Sequence, residues 1–202
     1  GRTLFGAERP AVHAVRGISL AVKGGETLGI VGESGCGKST LARMIVGLDG
    51  PSDGSIRIAG EGERLSRVQY VFQDSAAALN PRKRVRDTLS VPLKRLTRLG
   101  RRERSQRLAE LMDLVNLDAA FLERYPHELS GGQAQRIGIA RALAAEPDIL
   151  VLDEPVSALD VSMQAQVLAL LADLKARLGL TYLFISHDLS VVETVSDRVA
   201  IL

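Results

Sequence analysis

The 202-residue chain is 46% hydrophobic and 25% charged, with a formal net charge of +2, an ordinary balance for a globular protein. No apolar run approaches the roughly 20 residues that span a bilayer, and the first residues do not read as a signal peptide. Its single cysteine, Cys36, excludes an internal disulfide and a cysteine-rich metal site, which points to a reducing compartment and a cytosolic body.

The length suits one domain, or one with a small subdomain. The chain starts without Met and stops at "DRVAIL", a strand-like pattern, so a piece of a longer protein is expected. "AVRGISLAV" (14–22) alternates as a strand should, and "GSIRIAG" (54–60) is a second short strand between glycines. Together they predict an antiparallel β-layer on either side of the next motif.

"ETLGIV" (26–31) reads as a buried strand, "GESGCGKST" (32–40) follows, and "STLARMIVGL" (39–48) reads as a helix. Gly32, Gly37, Lys38 and Ser39 fit G-x-x-x-x-G-K-[ST], the phosphate-binding loop. Glycines, Gly35 included, let successive backbone N–H groups point at phosphate oxygens without a Cβ between them. Lys38 brings a positive charge to the β- and γ-phosphates, Ser39 offers a hydroxyl to Mg2+, and Thr40 continues the helix start. The phosphates then also meet a helix N-terminus. A chance match is possible for a glycine-rich run, but the strand before and the helix after speak against it. Cys36 reads as a small residue that fits this tight loop.

"RVQYVFQD" (67–74) is predicted as a buried strand ending in Gln73 and Asp74, and Val85 to about Leu122 turns helical. From Arg82 to Arg107 eleven Lys and Arg face only Asp87 and Glu103, a local balance of +9 that leaves the remainder near −7. Such a segment is most simply a solvated helical face; nucleic acid or lipid headgroups are the sharper readings. Few aromatics interleave it, so stacking on single strands lacks support. "GQAQRIGIARALAAEPD" (132–148) is helical until Pro147, "ILVLDEP" (149–155) is a buried strand, "MQAQVLALLADLKARLG" (163–179) a helix closed by Gly179, and "TYLFISH" (181–187) a further strand. This alternation predicts a parallel sheet with crossover helices.

In a parallel sheet, polar residues at a strand's carboxyl end lie at the ligand crevice. Asp153 is thereby placed to hold Mg2+ through water, and Glu154 to orient and polarise an attacking water; a plain acidic turn is the bland reading. "LSGGQ" (129–133) opens a helix at Ser130 and offers a second anion site. One phosphate loop does not need a second such site for the same phosphate.

With these motifs the sequence closely resembles the ATP-binding subunit of ABC transporters, over essentially all 202 residues. The resemblance implies an α/β P-loop NTPase fold: a mixed β core of RecA-like type, an antiparallel β-subdomain, and a helical subdomain inserted at about 85–145, all within a single ABC ATP-binding domain (1–202). It implies ATP and Mg2+ as cofactors and a second ABC ATPase subunit as partner, same or different. Ser130, Gly132 and Gln133 would then contact the γ-phosphate held by that partner. Gln73 resembles the glutamine that contacts the Mg2+ and water site and links it to the membrane partner. Asp160 in "SALD" lies near the dimer interface, and His187 donates to the γ-phosphate. Phe5 is a candidate for stacking on adenine; His13 and His127 read as structural.

"VFQDSAAALNPRKRVRDTLSVPL" (71–93) narrows the resemblance to the dipeptide, oligopeptide and nickel importer ATPases, with "YPHELSGGQAQRIGIARAL" (125–143) leaning the same way. Two integral membrane permease subunits are then implied, with an extracytoplasmic substrate-binding protein beyond them and a peripheral position at the cytoplasmic face of the inner membrane. Two departures stand out: Ala134 replaces a common basic residue, and residues 54–70 are shorter than usual. The competing classes are a non-transport ABC ATPase acting on nucleic acid or the ribosome, and a nucleotide switch without turnover. Long coiled-coil or zinc insertions are missing from the sequence, and Glu154 and His187 are both present, so transport is the preferred reading and no nucleic-acid partner is expected.

Overall fold

A computed structural model of the chain describes residues 14–60 and 63–202. Its centre is a five-stranded sheet in the order β2-β3-β4-β1-β5, with β1 at Thr27–Val31, β2 at Val68–Val71, β3 at Ile149–Asp153, β4 at Thr181–Ile185 and β5 at Arg198–Ile201. Every pairing is parallel. β1 and β4 are buried along their whole length, as expected for strands covered on both faces.

The pleat sends alternate residues of one strand into two different cores. Leu150, Leu152, Tyr182 and Phe184 join a large cluster with Leu89, Leu111, Met112, Ile137, Ile139 and Leu174. Val151, Leu183 and Ile185, with Leu28 and Ile30 of β1, face the smaller cluster of Leu41, Ala42 and Val46. Those last three belong to α1 (Lys38–Val46). A short α2 (Arg64–Arg67) leads into β2.

The predicted helical stretch after β2 is present as α3 (Val85–Leu96), α4 (Arg101–Leu114), two 3-10 turns and α5 (Gly131–Leu143). Then follow α6 (Val161–Leu178), ended by Gly179 in the left-handed conformation, and α7 (Leu189–Val195). Among the described residues no helix is long and apolar enough to cross a membrane.

Three expectations need correction. Residues 14–22 and 54–60 form no strands, so the described residues build no antiparallel layer and the core sheet is parallel rather than mixed. Val15, Ile18, Val22 and Ile58 pack against the smaller core while Leu20 is exposed, so the predicted two-residue alternation does not govern burial there. The third concerns β2, which stops at Val71. Beyond it Asp74 Oδ1 accepts from Ala77 N at 2.8 Å, drawing Asp74 into a turn instead of the sheet.

Candidate functional site

The loop between β1 and α1 is shaped by close approaches. Gly37 has φ +104°, and a Cβ there would lie 2.0 Å from the carbonyl oxygen of Ala14. A Cβ on Gly32 would meet the Leu202 carbonyl oxygen at 2.6 Å and Cys36 Sγ at 2.7 Å. Glycine is required at both for space, and at Gly37 also for conformation.

Lys38 is buried. Its Nζ donates to the carbonyl oxygens of Gly32 and Glu33, both at 2.8 Å, and lies 3.7 Å from Cys36 Sγ. The ammonium is therefore folded across its own loop. Gly37, the N-cap of α1, brings no capping side chain, and the first turn holds no acid, so the N–H groups beside Ser39 and Thr40 keep their positive end for an anion. Together with the glycine-shaped loop and the buried ammonium, this donor set suits a nucleotide's phosphates, and the Ser39 hydroxyl and Asp153 carboxylate are hard oxygen ligands of the kind Mg2+ takes.

The carboxylates follow β3. Asp153, its last residue, is buried, and the Tyr70 hydroxyl donates to its Oδ2. Burial first, and this bond second, hold the Tyr70 phenol well above its ordinary value of 10.0. Glu154 takes φ 48°, uncommon for a residue with a Cβ. Its amide donates to the Ile185 carbonyl at 2.9 Å, which ties the turn to the end of β4.

Three predicted residues meet at the Glu154 side chain. His187 Nδ1 lies 3.1 Å from Oε1, and Gln73 Nε2 donates to Oε2 at 3.1 Å. Gln73 also reaches Ser157 Oγ at 3.3 Å. The Glu154 side chain is 17% exposed and that of His187 61%, so the imidazole forms the outer wall of the cluster. Gln73, the acid pair, His187 and the phosphate loop each follow the carboxyl end of one of four neighbouring strands, β2, β3, β4 and β1. That is where a parallel sheet binds ligands.

The second predicted group lies elsewhere. Ser130 caps α5: its Oγ accepts from Gln133 N at 3.3 Å, while Gln133 Oε1 accepts from Ser130 N at 2.9 Å. This is a reciprocal capping box. A Cβ on Gly132 would lie 2.8 Å from Met163 Sδ, so this glycine lets the starts of α5 and α6 approach. Asp160 caps α6 through Oδ1, which accepts from Met163 N at 2.9 Å. No hydrogen bond among the described residues joins these groups to the phosphate loop. A hollow of about 200 Å³ beside them is lined by Ser130, Gly132, Gln133, Arg136 and Met163. Phe5 and His13 lie outside the described residues, and His127 stacks on Tyr125 at 5.7 Å.

Residues 15–157 match the family model described as ABC transporter. The chain belongs to the ABC transporter family. It is 50% identical to the oligopeptide transport ATP-binding protein AppF of Bacillus subtilis, over 98% of this chain and 64% of that protein. With the dipeptide transport ATP-binding protein DppF of Haemophilus influenzae it shares 47% identity, over 97% of this chain and 63% of the relative. It thus spans a little under two thirds of the length of these relatives. Among solved structures, the dimeric ATP-binding cassette MJ0796 in a post-hydrolysis state, bound to ADP and Pi, matches with a TM-score of 0.81 at 32% identity, covering 94% of this chain and 86% of that one.

Within this ABC-family chain, Tyr70 joins the site with no role expected from the sequence, and Ser157, expected only as the first residue of "SALD", meets Gln73. A tyrosine in an otherwise apolar strand carries a signal of its own, because a buried phenol must find a partner. The Ser130–Gln133 capping box was equally legible from the S-x-x-Q spacing.

Proposed function

We propose that the chain binds and hydrolyses ATP as the nucleotide-binding part of a peptide or nickel importer, in a dimer with a second ABC ATPase subunit. What carries this reading is the convergence of Gln73, Glu154 and His187 beside Asp153 and the phosphate loop, from four adjacent strand ends. The identity to peptide-transport relatives supports the cargo class, and the dimeric neighbour supports the pairing.

In this reading the N–H groups of the loop from Gly32 to Thr40, Gly35 and Cys36 included, surround the phosphates. Lys38 exchanges its loop carbonyls for phosphate oxygens. Ser39, Asp153 and Gln73 would hold Mg2+, which when bound offsets charge on the β- and γ-phosphates. Glu154 accepts a hydrogen bond from the attacking water, while His187 and Gln73 fix its two oxygens. ATP and water then give ADP and phosphate, catalysed mainly by positioning and charge stabilisation. Ser130, Gly132, Gln133 and Asp160 serve the partner's nucleotide, so each dimer closes on two ATP molecules. Two permease subunits, a substrate-binding protein beyond them and the inner face of the membrane complete the proposed setting.

The test is Glu154→Gln in the full-length protein. ATP hydrolysis should fall by about 10²–10⁴-fold with ATP binding kept, and light scattering should register ATP-driven dimerisation. Undiminished hydrolysis would remove Glu154 from the mechanism. A variant that fails to bind ATP at all would overturn the whole reading.

A further inference from the structure

Tyr70 sits in β2 opposite Val151 of β3, two residues before Asp153 on the same face of that strand. A diagonal neighbour at that offset is within reach of a long aromatic side chain, and the phenol spans it to Asp153 Oδ2. The Tyr70 ring packs over the α1-side core. Phe72 braces it, with ring centroids 4.7 Å apart at 59°. Asp153 accepts no other hydrogen bond among the described residues, so its second oxygen is left to whatever lies towards the phosphate loop.

We propose that Tyr70 is a positioning residue for Asp153, holding one carboxylate oxygen so that the other faces the Mg2+ hydration shell. This rests on the reading above, in which Asp153 serves Mg2+. An ionised carboxylate only accepts hydrogen bonds, so the phenol must be the donor. Such a charge-assisted bond fixes both the rotation of the carboxylate and its basicity. A carboxylate acting on a cation through water depends on that orientation, since it has no direct metal bond to align it. Groups that orient a metal's ligands change metal affinity by about 10–100-fold when removed.

The experiment is Tyr70→Phe in the full-length protein, which removes the hydroxyl and keeps the ring. ATP binding is titrated by fluorescence, first in EDTA and then across a Mg2+ series, with Tm measured alongside. The expected result is unchanged ATP affinity in EDTA and a half-saturating Mg2+ concentration raised about tenfold. Tyr70→Met, also without a donor, gives the same reading if the phenylalanine variant does not fold. Equal Mg2+ dependence in wild type and variant overturns the proposal and leaves the ATPase reading intact. So does a reduced Mg2+ requirement, which would make the phenol a competitor of the metal, or an equal loss of affinity in EDTA, which would make it structural. Wild-type binding that ignores Mg2+ overturns both readings together.

Discussion

Two corners of the molecule use polar side chains in opposite ways. At the carboxyl ends of β2, β3 and β4, side chains from separate strands converge: Gln73 donates to Glu154, His187 stands 3.1 Å from it, and Tyr70 donates to Asp153. At the starts of α5 and α6, polar side chains turn back on their own helices. Ser130 and Gln133 cap each other, and Asp160 caps Met163. The first corner assembles long-range parts and cannot form until the sheet does. The second is complete locally: among the described residues its capping side chains hydrogen-bond only within their own helix starts. A site built within one chain and a surface built for another are expected to differ in this way. The contrast supports the proposal that the second corner serves a neighbouring subunit.

The contrast breaks first at Gly37. Alanine there takes φ +104° and forces its Cβ to within 2.0 Å of the Ala14 carbonyl, so either the loop or the segment from Ala14 onward must move. Strained backbone costs about 1–3 kcal/mol, and the steric displacement adds a similar amount. We expect Gly37→Ala to lower Tm by roughly 10 °C and to abolish ATP binding. Scanning calorimetry and a nucleotide titration check both. Retained ATP binding would show that the loop can rearrange without Ala14, and that the first corner is less tightly assembled than its bonds suggest.

How much of this the sequence carried follows the same division. Motifs whose meaning is local were readable: the loop glycines, the apolar run into Asp153 and Glu154, and the strand that delivers His187. The convergence on Glu154 was not, because Gln73 and His187 lie 81 and 33 residues away in the chain, and only the strand order joins them. The alternation at 14–22 suggests a strand, yet the segment forms none and leaves Leu20 exposed. A strand-like pattern becomes a strand only where a neighbouring backbone is in reach, and tertiary context decides that. Tyr70 signals only that its hydroxyl needs a partner; that the partner is Asp153 follows from the pairing of β2 with β3.

Ser130 probes the other corner. Ser130→Ala loses one half of the capping box, worth about 1 kcal/mol, and at this chain length a Tm lower by roughly 2–4 °C. Because the box makes no hydrogen bond to the phosphate loop among the described residues, ATP affinity of the isolated subunit should be unchanged. Dimerisation at saturating ATP should weaken if Ser130 serves the partner's nucleotide. A fall in monomer ATP affinity would instead join the two corners into one site.

The least change is expected at the opposite end of the sheet, away from the proposed nucleotide site. Asp197 Oδ2 accepts from Lys175 Nζ and from the amide of Thr27, the first residue of β1, each at 2.7 Å. Lys175 first, and the Thr27 amide second, hold this carboxyl below its ordinary 3.8. A folded-state value depressed in this way adds stability that is fully present above the unfolded value and is lost as pH falls through the folded one. Asp197→Asn can still accept from the Thr27 amide, so it forfeits only the charge of a half-exposed pair, about 0.5 kcal/mol. The Tm difference from wild type should therefore be about 1–2 °C, constant from neutral pH down to about pH 5, and should close below that. ATP binding should not follow it at any pH. A Tm difference that instead grew on acidification would mean that Asp197 is raised, not lowered, by its neighbours. An ATP affinity that tracked it would mean that strain at the amino end of β1 reaches the loop at its carboxyl end.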